Sequence, residues 1–397
     1  MSAQDTTVNT RSPFYVRINA ESTSYAILEI SVWTGPRSPF STDIKYSLRK
    51  PKQGSTDMII FEISELLRDY IDVTFKGDYL SQAIWFRARA KAYDSSNNLL
   101  STVSVVELAL DSYSYFQEPN FDIEETNIMI SNREIFVLAD NAFKIPIYAV
   151  DASEIYFFKN NEVVASRSIS LSDNTTSVIK YVSSNPTNAA FINQRDTYAE
   201  RVVNDGGALS KGIFENSNCL KSFLDSVEIG EVDKIQINVQ GKDPVFIKIT
   251  TIEECKQDPK KITFVNKFGV LQDVYFFKKS VEKISVKREN YKSSILGNIL
   301  SPVDYDTTKH ANRDYNIVGN ESMTLSSGYL SEEYNEVFKQ MMLSEKCWIT
   351  TVKNGIAEIL PINVKTGDVT YKTSLNNKLV DYTFEFDYSF NVINNIR

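Results

Sequence analysis

From Tyr382 to Phe390 every second residue is aromatic. Tyr382, Phe384, Phe386, Tyr388 and Phe390 alternate with Thr383, Glu385, Asp387 and Ser389. A period of two sends alternate side chains to opposite faces of an extended chain, so this stretch predicts a strand with one apolar and one wet face. Asn376-Asn377 supplies turn residues before it and is expected to pair it with Val369–Thr373. The same period recurs between Ala83 and Leu110. Ile84, Phe86, Ala88, Ala90 and Ala92 share one face; Trp85, Arg87, Arg89, Lys91 and Tyr93 share the other. Asp94-Ser95-Ser96-Asn97-Asn98 then turns the chain, and Leu100–Leu110 returns as the second arm of a hairpin. Strands of this kind must cover each apolar face with a second layer. The expectation is a mainly β chain of two or three β-sandwich-like domains with a few short helices.

Turn residues and texture divide the chain. Residues 1–12 are polar and read as a flexible arm. Residues 13–112 read as an N-terminal β-sandwich with strands at Phe14–Ile18, Tyr25–Trp33, Asp43–Leu48 and Met58–Ile63, and a short helix capped by Ser64. Gln117-Glu118-Pro119-Asn120 opens a middle β domain over 113–260. Its strands fall at Glu134–Leu138, Ile145–Val150, Glu154–Phe158, Val163–Ile169, Lys234–Val239 and Val245–Ile252, with Asn160-Asn161 as a tight turn. Within it, 183–228 is rich in Asn, Ser and Gly. This reads as an insertion and candidate contact loop, with a helix from Ala189 to Val203. Residues 261–397 form a C-terminal β-rich region, either its own domain or one with the middle region. Strands are expected at Ile262–Val265, Gln272–Phe277 and Ile284–Val286, and 291–311 reads as irregular. The amphipathic helix is Ser331–Ser344, with Ser331 as its N-cap and Tyr334, Val337, Phe338, Met341 and Met342 on one face.

Composition excludes several chemistries. The chain of 397 residues has one histidine, His310, so no multi-histidine metal site can be built within it. Cys219, Cys255 and Cys347 are far apart, which removes CxxC knuckles and disulfide scaffolds. Net charge is −8, unlike a chain whose primary partner is nucleic acid. No apolar run approaches a membrane span, and the polar start is no secretory signal. Asp304, Asp306 and His310 form the one acid–histidine cluster, read as a polar loop rather than a metal or acid–base site. Phosphate-loop, dinucleotide, nucleophile-elbow and zincin motifs are absent. The reading assigns no catalytic residue, no metal and no cofactor. Five residues stand as interface candidates. Arg87, Arg89 and Lys91 could meet an acidic partner or form a solvated face. Tyr334 and Phe338 belong to a core or a subunit contact. Trp33, Trp85 and the terminal aromatic ladder could stack on sugars, although such stripes are more often core.

Three segments carry a resemblance. The first is Trp33-Thr34-Gly35 with Phe61-Glu62-Ile63-Ser64-Glu65-Leu66-Leu67-Arg68-Asp69-Tyr70. The second is Ile262-Thr263-Phe264-Val265-Asn266-Lys267-Phe268-Gly269-Val270-Leu271-Gln272-Asp273. The third is Tyr334-Asn335-Glu336-Val337 through Met342-Leu343-Ser344-Glu345, with the chain end Asn391-Val392-Ile393-Asn394-Asn395-Ile396-Arg397. Together they resemble virion proteins of tailed bacteriophages infecting Bacteroidota, including the crAss-like phages. The resemblance implies a structural role in the tail or the neck, and with the residue reading the expectation is a non-enzymatic component of the tail, collar or baseplate. It implies an oligomeric ring whose partners are copies of the chain and other virion proteins, with host glycan reached through a neighbouring fibre. It carries no site residues to transfer. The alternatives from the residues alone are a glycan-binding module or receptor-binding adaptor, and a hydrolase with two converging carboxylates.

Overall fold

A computed structural model describes residues 7–35, 37, 40–79, 83–117, 127–138, 143–148, 153–169, 179–182, 232–254, 256–297, 304, 306–353, 356–370 and 379–393. The fold is mainly β, as the alternating patterns require, with two short helices among the described residues.

The N-terminal region contains β1 (Thr7–Asn9), β2 (Tyr15–Asn19), β3 (Tyr25–Trp33), β4 (Ile44–Pro51), β5 (Met58–Glu62), α1 (Ser64–Arg68), β6 (Ile84–Tyr93) and β7 (Leu99–Leu110). A five-stranded sheet in the order β1-β7-β6-β3-β4 packs over the β2–β5 pair. The inner face of β6 is the one the alternation predicts: Phe86, Ala88, Ala90 and Ala92 are fully buried against Leu28, Ile30, Ile18 and Phe61. Two expectations are corrected here. Residues 7–12 are not a flexible arm. Thr7–Asn9 pairs in parallel with Leu108–Leu110, the Thr10 amide donates to Leu110 O, and Val8 is buried in the sandwich. The edge of β7 offers backbone groups for this strand, and side-chain hydrogen bonds of Asn9 and Thr10 to Ser112 and Leu110 O help to seat it. Ser64 is the first helical residue rather than the cap of α1. Ile63 holds the N-cap position, and the Ser64 amide donates to the Glu62 carboxylate at 2.9 Å.

The middle region contains β8 (Glu134–Leu138), β9 (Ile145–Tyr148), β10 (Ser153–Lys159), β11 (Glu162–Ile169), β12 (Ile179–Val182), β13 (Lys234–Val239) and β14 (Val245–Ile252). The sheet order is β11-β10-β13-β14-β8, with β14 and β8 parallel, and β9, paired with β12, adds Ile145 and Ile147 to the same core. Asn160 and Asn161 have φ of 53° and 67°, the left-handed pair that a tight hairpin turn needs. The insertion 183–228 and its expected helix lie outside the described residues.

The C-terminal region contains β15 (Lys260–Val265), β16 (Leu271–Phe276), β17 (Ser280–Lys292), β18 (Asn312–Ser326), β19 (Leu330–Ser331), α2 (Tyr334–Met342), β20 (Cys347–Lys353), β21 (Ile356–Val364), β22 (Leu379–Val380) and β23 (Thr383–Tyr388). Seven strands form one sheet, β16-β15-β20-β21-β23-β18-β17. Helix α2 lies across it, and Val337, Phe338 and Met341 are fully buried with Phe276, Phe384 and Phe386. The aromatic ladder does not pair with Val369–Thr373. Residues 369 and 370 form no strand and 371–373 lie outside the described residues. Instead β23 runs between β21 and β18, with its aromatic face buried under α2. Ser331 does not cap the helix. It pairs with Leu379 in β19, and α2 starts after Glu333.

One hairpin joins the three regions. The turn Asn266–Val270 between β15 and β16 reaches both other sheets. The Tyr113 amide donates to Lys267 O, and a Cβ on Gly269 (φ +74°) would fall 2.9 Å from the Asp111 backbone. That close approach explains the glycine. The Asn266 side-chain Nδ2 donates to Met129 O at 2.7 Å and to Gln272 Oε1 at 2.9 Å, and Gln272 Nε2 in turn donates to Asn132 Oδ1. Around this turn a fourth core collects Phe75 and Leu110, Met129 and Tyr181, and Phe268 and Trp348, two from each region. Beside it the Tyr79 hydroxyl donates to Asp273, with Lys144 and Lys261 over the Tyr79 ring. Ion pairs close the seam at its rim, where Glu345 meets Arg11 and Arg68, and Lys346 meets Asp72.

Candidate functional site

The seven-stranded sheet has two edges, and they differ. Edge strand β16 packs against β8 and β9 of the middle region. Edge strand β17 is open: all 13 of its residues are exposed. Its sequence explains how it forms a strand without burial. Val281, Ile284 and Val286 are β-branched, it holds neither Gly nor Pro, and it pairs with β18 along its whole length.

Strand β18 outruns its inner neighbour. It is held by β23 from Ser322 to Ser326, so Asn312–Glu321 extends past that strand with β17 at its side. From Ile284 to Lys292 this two-stranded ribbon runs about 26 Å. By register, Ile284, Val286 and Ile317 lie on the face that further along carries Met323 and Leu325 of the core. Past the cover of α2 that face is open, with Ile284 57% and Val286 44% exposed. The chain after β23 returns to the ribbon, where the Val392 amide donates to Gly319 O. A bulge sets Tyr315 against Tyr291 in an edge-to-face contact. Arg288 pairs with Asp314 at 2.9 Å. Hydrogen bonds from Asn316 and Tyr315 hold the Glu289 carboxyl below its usual range, so it is ionised at neutral pH.

The residues singled out in the sequence fall elsewhere. Arg87, Arg89 and Lys91 do lie on the outer face of β6, but Glu29 of β3 sits among them. It accepts from Lys91 at 2.6 Å and Arg89 at 3.0 Å, and the Lys91 hydrogen bond leads in lowering its pKa. Arg87 is occupied by Ser41 O and the Phe40 ring. Tyr334 and Phe338 are buried in the C-terminal core, where Tyr334 accepts the Phe136 amide. Trp33 and Trp85 are cross-strand partners, and each carries a neighbour from the loop after β3: Phe40 on Trp33 and Arg37 over Trp85. Within the ladder Tyr382, Phe384 and Phe386 are buried, while Phe390 is 45% exposed. Asp304, Asp306 and His310 lie near the ribbon tip. Asp306 accepts from the Thr308 amide and hydroxyl, and no group of three metal-ligating side chains occurs among the described residues. No helix among those residues is long and apolar enough to cross a membrane.

What the fold defines is a class, a multi-layer β protein whose seven-stranded sheet, among the described residues, leaves its β17 edge open. No known family and no curated protein matches the sequence. Among solved structures the chain is similar to CBD12 from CALX1.2, at 12% identity over 45% of this chain and 70% of that one, with a TM-score of 0.16. A superposition at that score carries no argument about function.

Proposed function

We propose that the chain is a structural subunit of a tailed-bacteriophage virion, in the tail, collar or baseplate. It works by contact, assembling as a ring with copies of itself and with other virion proteins, and a neighbouring fibre reaches host glycan. The observation that carries this reading is the open β17 edge on a ribbon that stands out from a body locked at its three-way junction. A long exposed edge strand is an aggregation hazard in a free protein and a ready contact in an assembled one. The resemblance of the 61–70, 262–273 and 334–345 segments to virion proteins supplies the setting. The test is mass spectrometry of purified particles together with sedimentation of the isolated chain. The expected result is a stoichiometric virion band and a self-associating subunit. A compact monomer that is absent from particles overturns the reading.

The second reading is a glycan-binding module, favoured by the adjacent Trp33 and Trp85 on the outer face of the first sheet. The loop residues Phe40 and Arg37 already occupy these rings, which weighs against a free stacking platform. Glycan-array binding that disappears in Trp85→Ala would establish it instead.

A further inference from the structure

We infer that β17 pairs antiparallel with β17 of a second copy about a two-fold axis through Val286, fusing two seven-stranded sheets into one. This deepens the reading above, because it names the partner of the same edge. The strand runs from Ser280 to Lys292, and Val286 is its midpoint. Centred there, every residue of the strand finds a partner, over about 43 Å. A two-fold axis normal to the sheet keeps side chains on their own faces, so only registers centred on a residue are allowed.

The charges select among those registers. With the axis on Val286, Lys283 of each copy faces Glu289 of the other, Lys287 faces Ser285, and Glu282 faces Asn290. Val281 faces Tyr291 twice, an aromatic against a β-branched side chain, both nearly half exposed in the single chain. No like charges meet. Moving the axis to Ser285 sets Lys283 against Lys287, and moving it to Lys287 sets that lysine against itself. Lysines on an edge strand usually discourage pairing. Here they forbid both adjacent registers and permit the one that uses the whole strand. The strand itself is unbroken, since the bulge falls on β18 at Tyr315. The contact also continues the uncovered Ile284–Val286 face across the axis. Being isologous, it closes at two copies, so a ring requires a second and different surface on each subunit.

Sedimentation velocity of the full chain over a concentration series tests the pairing. The expected result is a monomer–dimer equilibrium. Lys283→Glu places glutamate opposite Glu289 twice per dimer and raises the dissociation constant roughly tenfold or more. Glu289→Lys does the same through two lysine pairs. The double variant K283E/E289K restores the opposite charges and returns the constant to near its starting value, with circular dichroism checking that each variant is folded. A chain that stays monomeric up to about 100 µM overturns the inference. So does a dimer that neither single reversal weakens, or a double variant no better than the singles. Particle mass spectrometry separates the two claims. A monomer found in virions refutes the two-fold pairing alone, and a charge-dependent dimer absent from virions refutes the virion role alone.

Discussion

Asn266→Ala is the sharpest test of how the body of the molecule is held together. The side chain is 1% exposed and uses both ends. Its amide nitrogen donates to Met129 O at 2.7 Å and Gln272 Oε1 at 2.9 Å. Its oxygen accepts from the Phe268 amide at 3.0 Å and, more weakly, from the Val270 amide at 3.4 Å. Alanine removes all four bonds and leaves their partners in a site too crowded for easy hydration. A buried group deprived of its partner costs about 1–3 kcal/mol. Partial rehydration and the weakness of the longest bond bring the expected loss to about 3 kcal/mol. The loss should be local as well as global, because Met129 belongs to the middle region and Gln272 to the C-terminal sheet. The assay is urea unfolding, paired with hydrogen exchange of peptides spanning 127–132 and 264–272. The expected result is a lower midpoint with faster exchange in both peptides and little change in β3 and β6. Asn266→Asp should behave in a pH-dependent way. Its carboxylate would face Met129 O and Gln272 Oε1, so the variant should be more stable at pH 5, where protonation restores a donor, than at pH 7. A loss below about 1 kcal/mol for Asn266→Ala, with exchange unchanged, would refute this account of the junction.

Three further outcomes follow from single sites. Gly328 has φ +74°, and a Cβ there would lie 2.4 Å from the Phe277 ring. Gly328→Ala should therefore cost about 2–4 kcal/mol, whereas Gly54→Ala (φ +73° with open space around it) should cost only about 1, both read from urea midpoints. Lys144 is largely enclosed although part of its surface stays accessible, and burial pulls its ammonium down to about 8. A folded pKa below the unfolded one means that stability rises with pH between about 8 and 10.5, so Lys144→Met should gain roughly 1–2 kcal/mol below pH 8 and lose that advantage above it. Glu29 has the same sign for the opposite reason, because the fold favours its charged form. Its lowered pKa stabilises the fold above pH 4.5 and ceases to do so as pH falls through the folded value. Glu29→Gln should cost about 1 kcal/mol at pH 7, with the gap to wild type closing in acid melts.

The sequence made legible those strands that bury one face within the chain. The alternation of β6 and of the terminal ladder, the left-handed Asn160-Asn161 turn and the stripe of α2 all record which side chains must leave water. Boundaries were harder to read where backbone pairing rather than burial decides. Ser331 looks like a cap, but it is claimed by Leu379, and Thr7–Asn9 looks like a tail, but it is claimed by Leu108–Leu110. The partners of the ladder are hidden for a related reason. Asn376-Asn377 is a good local turn signal, yet the neighbours of β23 come from 322–326 and 362–364. Pairing over such separations leaves no mark in a short window.

The candidate site escaped for a deeper physical reason. Hydrophobic periodicity appears because one face of a strand is dry in the folded monomer. Strand β17 has no dry face, so selection within a single chain leaves only the fragment Ile284–Val286 as a strand signal, against the 13 residues that form. The pattern it does carry has a different centre. Around Val286 it sets lysine opposite glutamate, and valine opposite tyrosine, at equal distances on either side. Such mirror complementarity contributes nothing to a lone β17–β18 ribbon, where Lys283 faces Ser322 and Glu289 faces Asn316. It acquires energetic meaning only when a second β17 lies alongside. An exposed strand that reads poorly as part of its own fold, and well as its own antiparallel partner, is therefore informative because the usual signal fails. In the proposed pairing the amphipathicity of the surface would belong to the assembly, with the symmetry of the strand sequence as its trace in the chain.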